Sequence, residues 1–162
     1  MGFIFIDECK YQCKHSTSFI FCKKMLHMTT GYSGTPLAKK LGIKEGFKVR
    51  LVDAPAHYLH LFDDMPLVSF LKEKKTKKNF IHYFTTTTKA LQKDVPSLRN
   101  EIEEDGMIWI SWPKKASKVI TDVTEDIIRG LALANGLVDV KVCAVDETWS
   151  GLKLVIPVKN RK

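Results

Sequence analysis

A mainly apolar run, Met107–Trp112, follows the pair Asp105-Gly106 and ends at Pro113. A short apolar segment bounded in this way predicts a buried central strand, because proline cannot donate a hydrogen bond to a neighbouring strand. We interpret Asp105-Gly106 as the turn that precedes the strand. In open α/β sheets, ligands bind beyond the carboxyl ends of such strands. The residues that follow Pro113 are therefore candidates for a binding site.

Four further segments have the pattern of strands. Phe47–Asp53 alternates apolar and basic residues, and Asn79–Phe84 is rich in aromatic residues. Val138–Val145 and Leu152–Val158 flank a short polar connection, which favours a closing antiparallel hairpin. Leu67–Leu71 is predicted as a minor strand or helix, since its periodicity does not decide between them.

Helices are expected between most of these strands. Thr35–Gly42 begins with Thr-Pro and ends with glycine, as helices commonly do. A short helix is expected near residues 54–62, and Pro96 is expected to divide residues 88–102 into two helices. Asp122 and Glu125 have capping-box spacing at the start of a last helix. The alternation predicts an α/β fold: a three-layer, Rossmann-like sheet, mostly parallel, with a C-terminal antiparallel hairpin.

The net charge of +8 over 162 residues is compatible with anionic partners, but a lysine-rich solvated surface is the preferred explanation of it. An anionic small molecule is one candidate partner. Nucleic acid is another, through the five lysines of Lys72–Lys78 and the basic residues of 159–162. No apolar run reaches the roughly 20 residues that a membrane span requires, so we expect no membrane partner. The oligomeric state stays open.

Residues 1–27 differ in composition from the remaining chain, and we expect a disordered or non-native extension before a single domain over 28–162. Cys9, Cys13 and Cys22 lie in this extension, but their spacing is not that of a structural zinc site. We therefore expect no metal. Because Cys143 is the one cysteine in the remaining sequence, the chain suits a reducing cytoplasm better than a disulfide scaffold.

Polar residues are expected to converge where the central strand, the helix after it and the final hairpin meet. Lysines leave the strand, the helix would present its positive N-terminal end, and the hairpin turn carries carboxylates, hydroxyls and an indole. The candidate ligand-binding residues are Trp112, Lys114, Lys115, Ser117, Thr121, Asp122, Glu147, Thr148, Trp149 and Ser150. Asp53, at the end of the first strand, is a further candidate. The alternative is that these residues only cap, pack or face solvent.

Four motifs carry a resemblance to a known family. Tyr32–Ile43, Trp109–Lys115, Thr121–Asp126 and Val142–Leu154 resemble a bacterial family of domains of unknown function, numbered 3052. The resemblance covers Thr29 to about Val158 and implies no activity. More remotely, the order of elements is similar to the second half of class I methyltransferases, which implies a Rossmann-like scaffold.

No glycine-rich turn follows the first strand, which ends with Asp53 and continues into Ala54-Pro55-Ala56. Dinucleotide and mononucleotide phosphate motifs are also absent from the sequence. We therefore expect a non-enzymatic ligand-binding or regulatory module on a degenerate methyltransferase-like scaffold, with no cofactor and with S-adenosylmethionine (SAM) disfavoured. The alternatives are a SAM-dependent or other transferase, and a protein that binds nucleic acid or a protein partner through its basic patches. No residue is assigned a catalytic role.

Overall fold

The computed structural model describes residues 34–161, and the predictions for residues 1–27, including the zinc alternative, lie outside this range. The strands are β1 (Lys48–Val52), β2 (Ser69–Phe70), β3 (Lys78–Phe84), β4 (Ile102–Pro113), β5 (Val138–Ala144) and β6 (Trp149–Val155). The helices are α1 (Leu37–Leu41), α2 (Thr88–Glu101) and α3 (Glu125–Ala134). Within this range no helix is long and apolar enough to cross a membrane.

The six strands form one sheet in the order β2-β1-β3-β4-β6-β5. Strands β1 to β4 pair in parallel, whereas β6 is antiparallel to both β4 and β5. Helices α2 and α3 contribute to the core on one face, and α1 together with the 3₁₀ turn Tyr58–Leu61 contributes to the core on the other. The predicted α/β class, with a mostly parallel three-layer sheet and a closing hairpin, is confirmed.

Strand β4 contains the run Met107–Trp112, and all six residues are buried. The strand begins earlier than expected, at Ile102, so Asp105-Gly106 is not a turn. Instead, the pairing with β3 shifts between Lys78 and Phe80, which makes an irregularity in the ladder. A Cβ atom on Gly106 would lie 2.9 Å from the Lys78 carbonyl oxygen. The glycine therefore permits the close approach of two backbones and does not reverse the chain.

Helix α2 runs without interruption through Pro96, against the expectation of two short helices. Proline removes one backbone hydrogen bond and crowds the preceding turn. Leu91, Val95 and Leu98 on either side of it are buried in the core between α2 and the sheet. Their burial stabilises one continuous helix more than the proline disfavours it.

Lys78, the last lysine of the basic run, is fully buried and does not extend into solvent. Its Nζ lies 3.8 Å from Glu101 Oε2 and donates a hydrogen bond to the Glu73 carbonyl. Glu101 also pairs with Arg50, and the neighbouring Lys77 donates to the Asn100 carbonyl at 2.6 Å. Two lysines of this run therefore anchor the loop to α2, which leaves fewer charges for an external partner.

Candidate functional site

The chain reverses its direction of winding across the sheet between β1 and β3. After β1 it continues to β2 on one side, and it then returns to place β3 on the other side of β1. The carboxyl ends of two such strands diverge and leave a crevice in which α/β proteins bind ligands. A cleft of about 330 Å³ lies at this position. Its lining residues are Asp53, Tyr83, Phe84, Thr85, Thr86, Thr87, Ala90 and Trp149.

Asp53 follows β1 directly and is exposed at the cleft. Its backbone is left-handed, with φ of 52°. Glycine adopts this conformation most readily, but aspartate is among the few other residues that populate it. The chain can therefore turn away from the strand without glycine, and it places a carboxylate beside the space that the turn creates.

Three aromatic side chains contribute to the cleft. Tyr83 and Phe84 end β3, and Trp149 begins β6. The Phe84 and Trp149 rings meet edge to face, with centroids 5.2 Å apart. The Tyr83 hydroxyl donates to Asp94 Oδ2 at 2.8 Å, and burial, together with the charge of Asp94, raises the pKa of Tyr83 to about 12. The phenol is therefore neutral near pH 7.

A run of threonines connects β3 to α2 along the edge of the cleft. The Thr85 amide donates to the Ser111 carbonyl on β4 at 3.0 Å, which fixes the start of the loop. Thr87 is the N-cap of α2, and its hydroxyl accepts a hydrogen bond from the Ala90 amide. The loop is thus bonded to the central strand at one end and to the helix at the other, which holds Thr86 between them at the cleft.

Thr121 and Asp122 support this loop from behind. The Thr121 hydroxyl donates to the Thr86 carbonyl at 2.8 Å, and Asp122 Oδ1 accepts from the Thr88 amide at 2.7 Å. The expected capping box of Asp122 in the last helix is therefore wrong, because Asp122 binds the N-terminus of α2. Helix α3 is capped instead by Thr124, two residues later.

The hairpin turn, the end of β4 and the loop after β1 are joined by hydrogen bonds. Lys114 donates to two turn carbonyls: its amide to Thr148 at 2.7 Å and its Nζ to Asp146 at 2.6 Å. Asp146 Oδ1 accepts the amides of Thr148 and Trp149, and its Oδ2 lies 2.8 Å from His57 Nε2. These contacts position the Trp149 backbone at the cleft.

The remaining candidate residues lie away from the cleft lining. Trp112 is buried in the core beneath α2 and α3, and Ser150 is its partner on β6. Lys115 and Glu147 are exposed, and the Ser117 hydroxyl donates to the Lys114 carbonyl. Asp53 and Trp149 are thus the candidates that line the cleft, while Lys114, Thr121, Asp122 and Thr148 hold its surrounding loops.

Sequence reasoning did not select Tyr83, Phe84 or the residues of Thr85–Thr87. A signal was present, because four consecutive threonines follow the end of a predicted strand. The end of β3 is as good a candidate for a ligand site as the end of β4, since both are carboxyl ends of parallel strands.

His82 lies in the core behind the aromatic residues, fully buried. Its ring stacks on Phe84 with centroids 4.3 Å apart. Nδ1 lies 2.6 Å from the Tyr58 hydroxyl and Nε2 lies 2.7 Å from Ser111 Oγ. Burial lowers the pKa of His82 to about 3, so the imidazole is neutral at physiological pH. The histidine therefore orders the core that supports Phe84.

Other reactive groups offer little independent chemistry. Cys143 is a half-buried free thiol, and burial raises its pKa, which disfavours the nucleophilic thiolate. Within residues 34–161, no group of three or more histidine, cysteine or carboxylate side chains is arranged to hold a metal ion.

Solved structures similar to this chain include several methyltransferases. A putative type 11 methyltransferase from Sulfolobus solfataricus matches with a TM-score of 0.53 at 16% identity, over 76% of this chain and 91% of that one. Magnesium protoporphyrin IX methyltransferase from Synechocystis PCC 6803, with bound SAM, matches with a TM-score of 0.53 at 12% identity, over 75% and 74%. This chain has the fold of the class I SAM-dependent methyltransferases. A ribosomal protein L11 methylase from Lactobacillus delbrueckii subsp. bulgaricus has a TM-score of 0.50 at 12% identity, over 74% of each chain.

No protein-family model and no curated protein matches this sequence. The methyltransferase-like scaffold is therefore supported by the backbone, whereas the resemblance to the family numbered 3052 stays a prediction.

The comparisons contradict three expectations: a non-enzymatic module, a chain that leans away from enzymatic activity, and a chain without a cofactor. They favour the alternative of a SAM-dependent transferase, since the similar structures are methyltransferases and one of them holds SAM. The expectations rested on the missing glycine turn after β1. That inference was too strong, because Asp53 adopts the left-handed conformation itself.

Proposed function

We propose that this protein is a SAM-dependent methyltransferase whose cofactor binds in the cleft between the ends of β1 and β3. The supporting observation is the coincidence of three features at one place: the point where the winding of the sheet reverses, a concave space, and a convergent set of polar and aromatic groups. The volume of about 330 Å³ lies within the range of small-molecule sites, roughly 300–1,000 Å³.

The lining residues fit the chemistry of SAM. The cofactor has a cationic sulfonium, an ammonium group, ribose hydroxyls and an adenine ring. The Asp53 carboxylate attracts a cation or accepts hydroxyl hydrogen bonds, and the half-buried ring of Trp149 suits stacking or cation–π contact. The Phe84 ring is buried against His82 and supports Trp149 from the core. The hydroxyls of Thr85–Thr87 add donors and acceptors. When bound, SAM would supply an electrophilic methyl group.

The chain would orient its ligand through groups whose positions are already set. Trp149 is held through its amide by Asp146, and Thr86 is held through its carbonyl by Thr121. Tyr83 supports the lining from within the core as an uncharged phenol, because burial and the charge of Asp94 raise its pKa to about 12 and its hydroxyl donates to Asp94. Groups that are fixed before binding lose less conformational freedom when the ligand arrives.

Asp53→Asn tests the role of the carboxylate in this cleft. Asparagine also tolerates a left-handed backbone, so the substitution removes the charge while it keeps the turn. Loss of a charged hydrogen-bond acceptor is worth about 1.5–3 kcal/mol, which corresponds to a roughly 10- to 100-fold weaker affinity for SAM by isothermal titration calorimetry.

Asp63→Asn is the matched control, since Asp63 is exposed and does not line the cleft. It should bind SAM with the affinity of the unaltered protein. No heat with the unaltered protein at millimolar SAM would contradict the proposed function. Equal affinity for Asp53→Asn and the unaltered protein would contradict the role of Asp53.

Narrower assignments accompany this proposal. Membership of the bacterial family numbered 3052 is supported by motifs such as Trp109–Lys115. A single domain over 28–162 and a cytoplasmic location are supported by the change in composition near residue 28 and by the scarcity of cysteine after it. For the methyl acceptor we propose an anionic small molecule, because the net charge is +8 and the exposed Lys115 and Lys118 lie on the segment after β4.

A further inference from the structure

Four lysines gather on the sheet face that carries α1. Lys40 belongs to α1, Lys44 follows it, and Lys141 and Lys153 lie on β5 and β6. Lys141 Nζ donates to the Lys40 carbonyl at 3.2 Å. Lys153 Nζ lies 3.9 Å from the position that a Cβ on Gly42 would occupy. Both ammonium groups therefore reach the C-terminal end of α1.

Lys141 and Lys153 are direct partners in the antiparallel ladder between β5 and β6. Side chains opposite each other in such a ladder share one face of the sheet, and two like charges at these positions destabilise the pair. Among the ion pairs formed within residues 34–161, none includes Lys44, Lys141 or Lys153. These three lysines therefore form no ion pair with a carboxylate of the described chain.

The environment of Lys153 disfavours the charged form of its side chain. Its side chain is half-buried on β6, where it has fewer routes to water than a lysine on a loop. Burial, followed by the charges of Lys141 and Lys44, lowers the pKa of Lys153. An isolated solvated lysine would experience neither effect. An anion that entered between the side chains would offset both the cost of burying the Lys153 charge and the repulsion between the ammonium groups.

We propose that Lys44, Lys141 and Lys153 form a binding site for phosphoryl groups, separate from the methyltransferase cleft. Several converging ammonium groups favour an anion of more than one charge. A carboxylate carries a single negative charge, whereas a phosphate monoester carries about −1.5 to −2 near pH 7. Lysine binds phosphate well as a point charge. None of the three residues lines the cleft, so the site can be occupied whether or not the proposed cofactor binds.

Lys153→Met tests the site, with pyrophosphate as the probe. Methionine keeps an unbranched apolar side chain but removes the charge. At low ionic strength the variant should melt at least about 2 °C higher than the unaltered protein, because one repulsive charge is gone. Pyrophosphate should raise the melting temperature of the unaltered protein but not that of Lys153→Met, and calorimetry should give an affinity at least tenfold weaker for the variant.

Lys74→Met is the matched control, because Lys74 is an exposed lysine on a different loop. It should respond to pyrophosphate as the unaltered protein does, and sodium chloride at equal ionic strength should not reproduce the response. Lys141→Met provides a second variant, with the same expected loss of response, should Lys153→Met fold poorly. The inference is overturned if the unaltered protein does not respond, or if both site variants respond fully.

A short single-stranded oligonucleotide distinguishes two sources of the phosphate. If it binds and loses affinity in Lys153→Met, the site accepts the backbone of a nucleic acid. If pyrophosphate alone depends on Lys153, the site takes a free phosphate-bearing metabolite. Either result supports phosphoryl recognition. Oligonucleotide and pyrophosphate binding by both Lys153→Met and Lys141→Met with the affinity of the unaltered protein contradicts it.

Discussion

Asp53 combines a left-handed backbone conformation with a carboxylate side chain at the end of β1. Its left-handed backbone replaces the glycine that such a turn usually requires, and the residue itself lines the cleft. The sequence identified the carboxylate as a candidate but not the conformation, since φ at one residue depends on how the following loop packs. At this scale the absence of a glycine motif is weak evidence against a cofactor.

His82 supports a prediction about pH at the same scale. Its pKa falls from 6.5 in the unfolded chain to about 3 in the folded protein, so between these values the unfolded state binds the additional proton. Stability from the neutral imidazole is fully present above pH 6.5 and is lost as the pH falls towards 3. Between these two pKa values the free energy of unfolding falls by up to about 1.4 kcal/mol for each pH unit.

His82→Gln removes the titration and keeps a side chain that can hydrogen bond. We expect its free energy of unfolding to fall less steeply than that of the unaltered protein between pH 7 and 4, as measured by urea unfolding at several pH values. Parallel stability curves for the two proteins would contradict the assigned pKa of His82.

At the scale of elements, periodic patterns located the main strands and helices, while connections and caps were less predictable. The run Met107–Trp112 in β4 was predictable because a strand that is buried on both faces of the sheet is almost wholly apolar. By contrast, Asp105-Gly106 lies in a strand, and Asp122 binds the N-terminus of α2 and not that of α3, the helix that follows it. Both outcomes depend on contacts between segments distant in sequence, which a local pattern does not contain.

Pro96 offers a test of how packing overrides local preference in α2. Pro96→Ala restores the missing amide and relieves the clash with the preceding turn, which together are worth about 3 kcal/mol in a helix interior. Greater freedom of the unfolded chain offsets about 0.4–1 kcal/mol of this gain. Partial relaxation of the helix around the proline reduces it further, so we expect a net stabilisation of about 1–2 kcal/mol.

Chemical denaturation measures this change, and Lys93→Ala serves as the control at another exposed position of the same helix. The control should alter stability by no more than about 0.5 kcal/mol. If Pro96→Ala lowered the free energy of unfolding, the proline would have a stabilising role that the continuous helix does not explain.

At the scale of the whole molecule, the strand order joins groups that the sequence separates widely. Asp53, the threonines after β3 and Trp149 become neighbours because β1 and β3 lie side by side while the hairpin packs against β4. The alternation of elements predicted a parallel sheet, but not which strands flank the point where its winding reverses. The cleft could therefore be placed only once the strand order was known, and the lysine cluster likewise depends on the register of β5 and β6.

The most direct test of a cofactor in this cleft is a crystal structure grown with millimolar S-adenosylhomocysteine, the product of methyl transfer from SAM. We predict density for the ligand at the carboxyl ends of β1 and β3, in contact with Asp53, the threonine loop and Trp149. An empty cleft in such crystals, or a ligand bound only elsewhere on the protein, would contradict the proposed function.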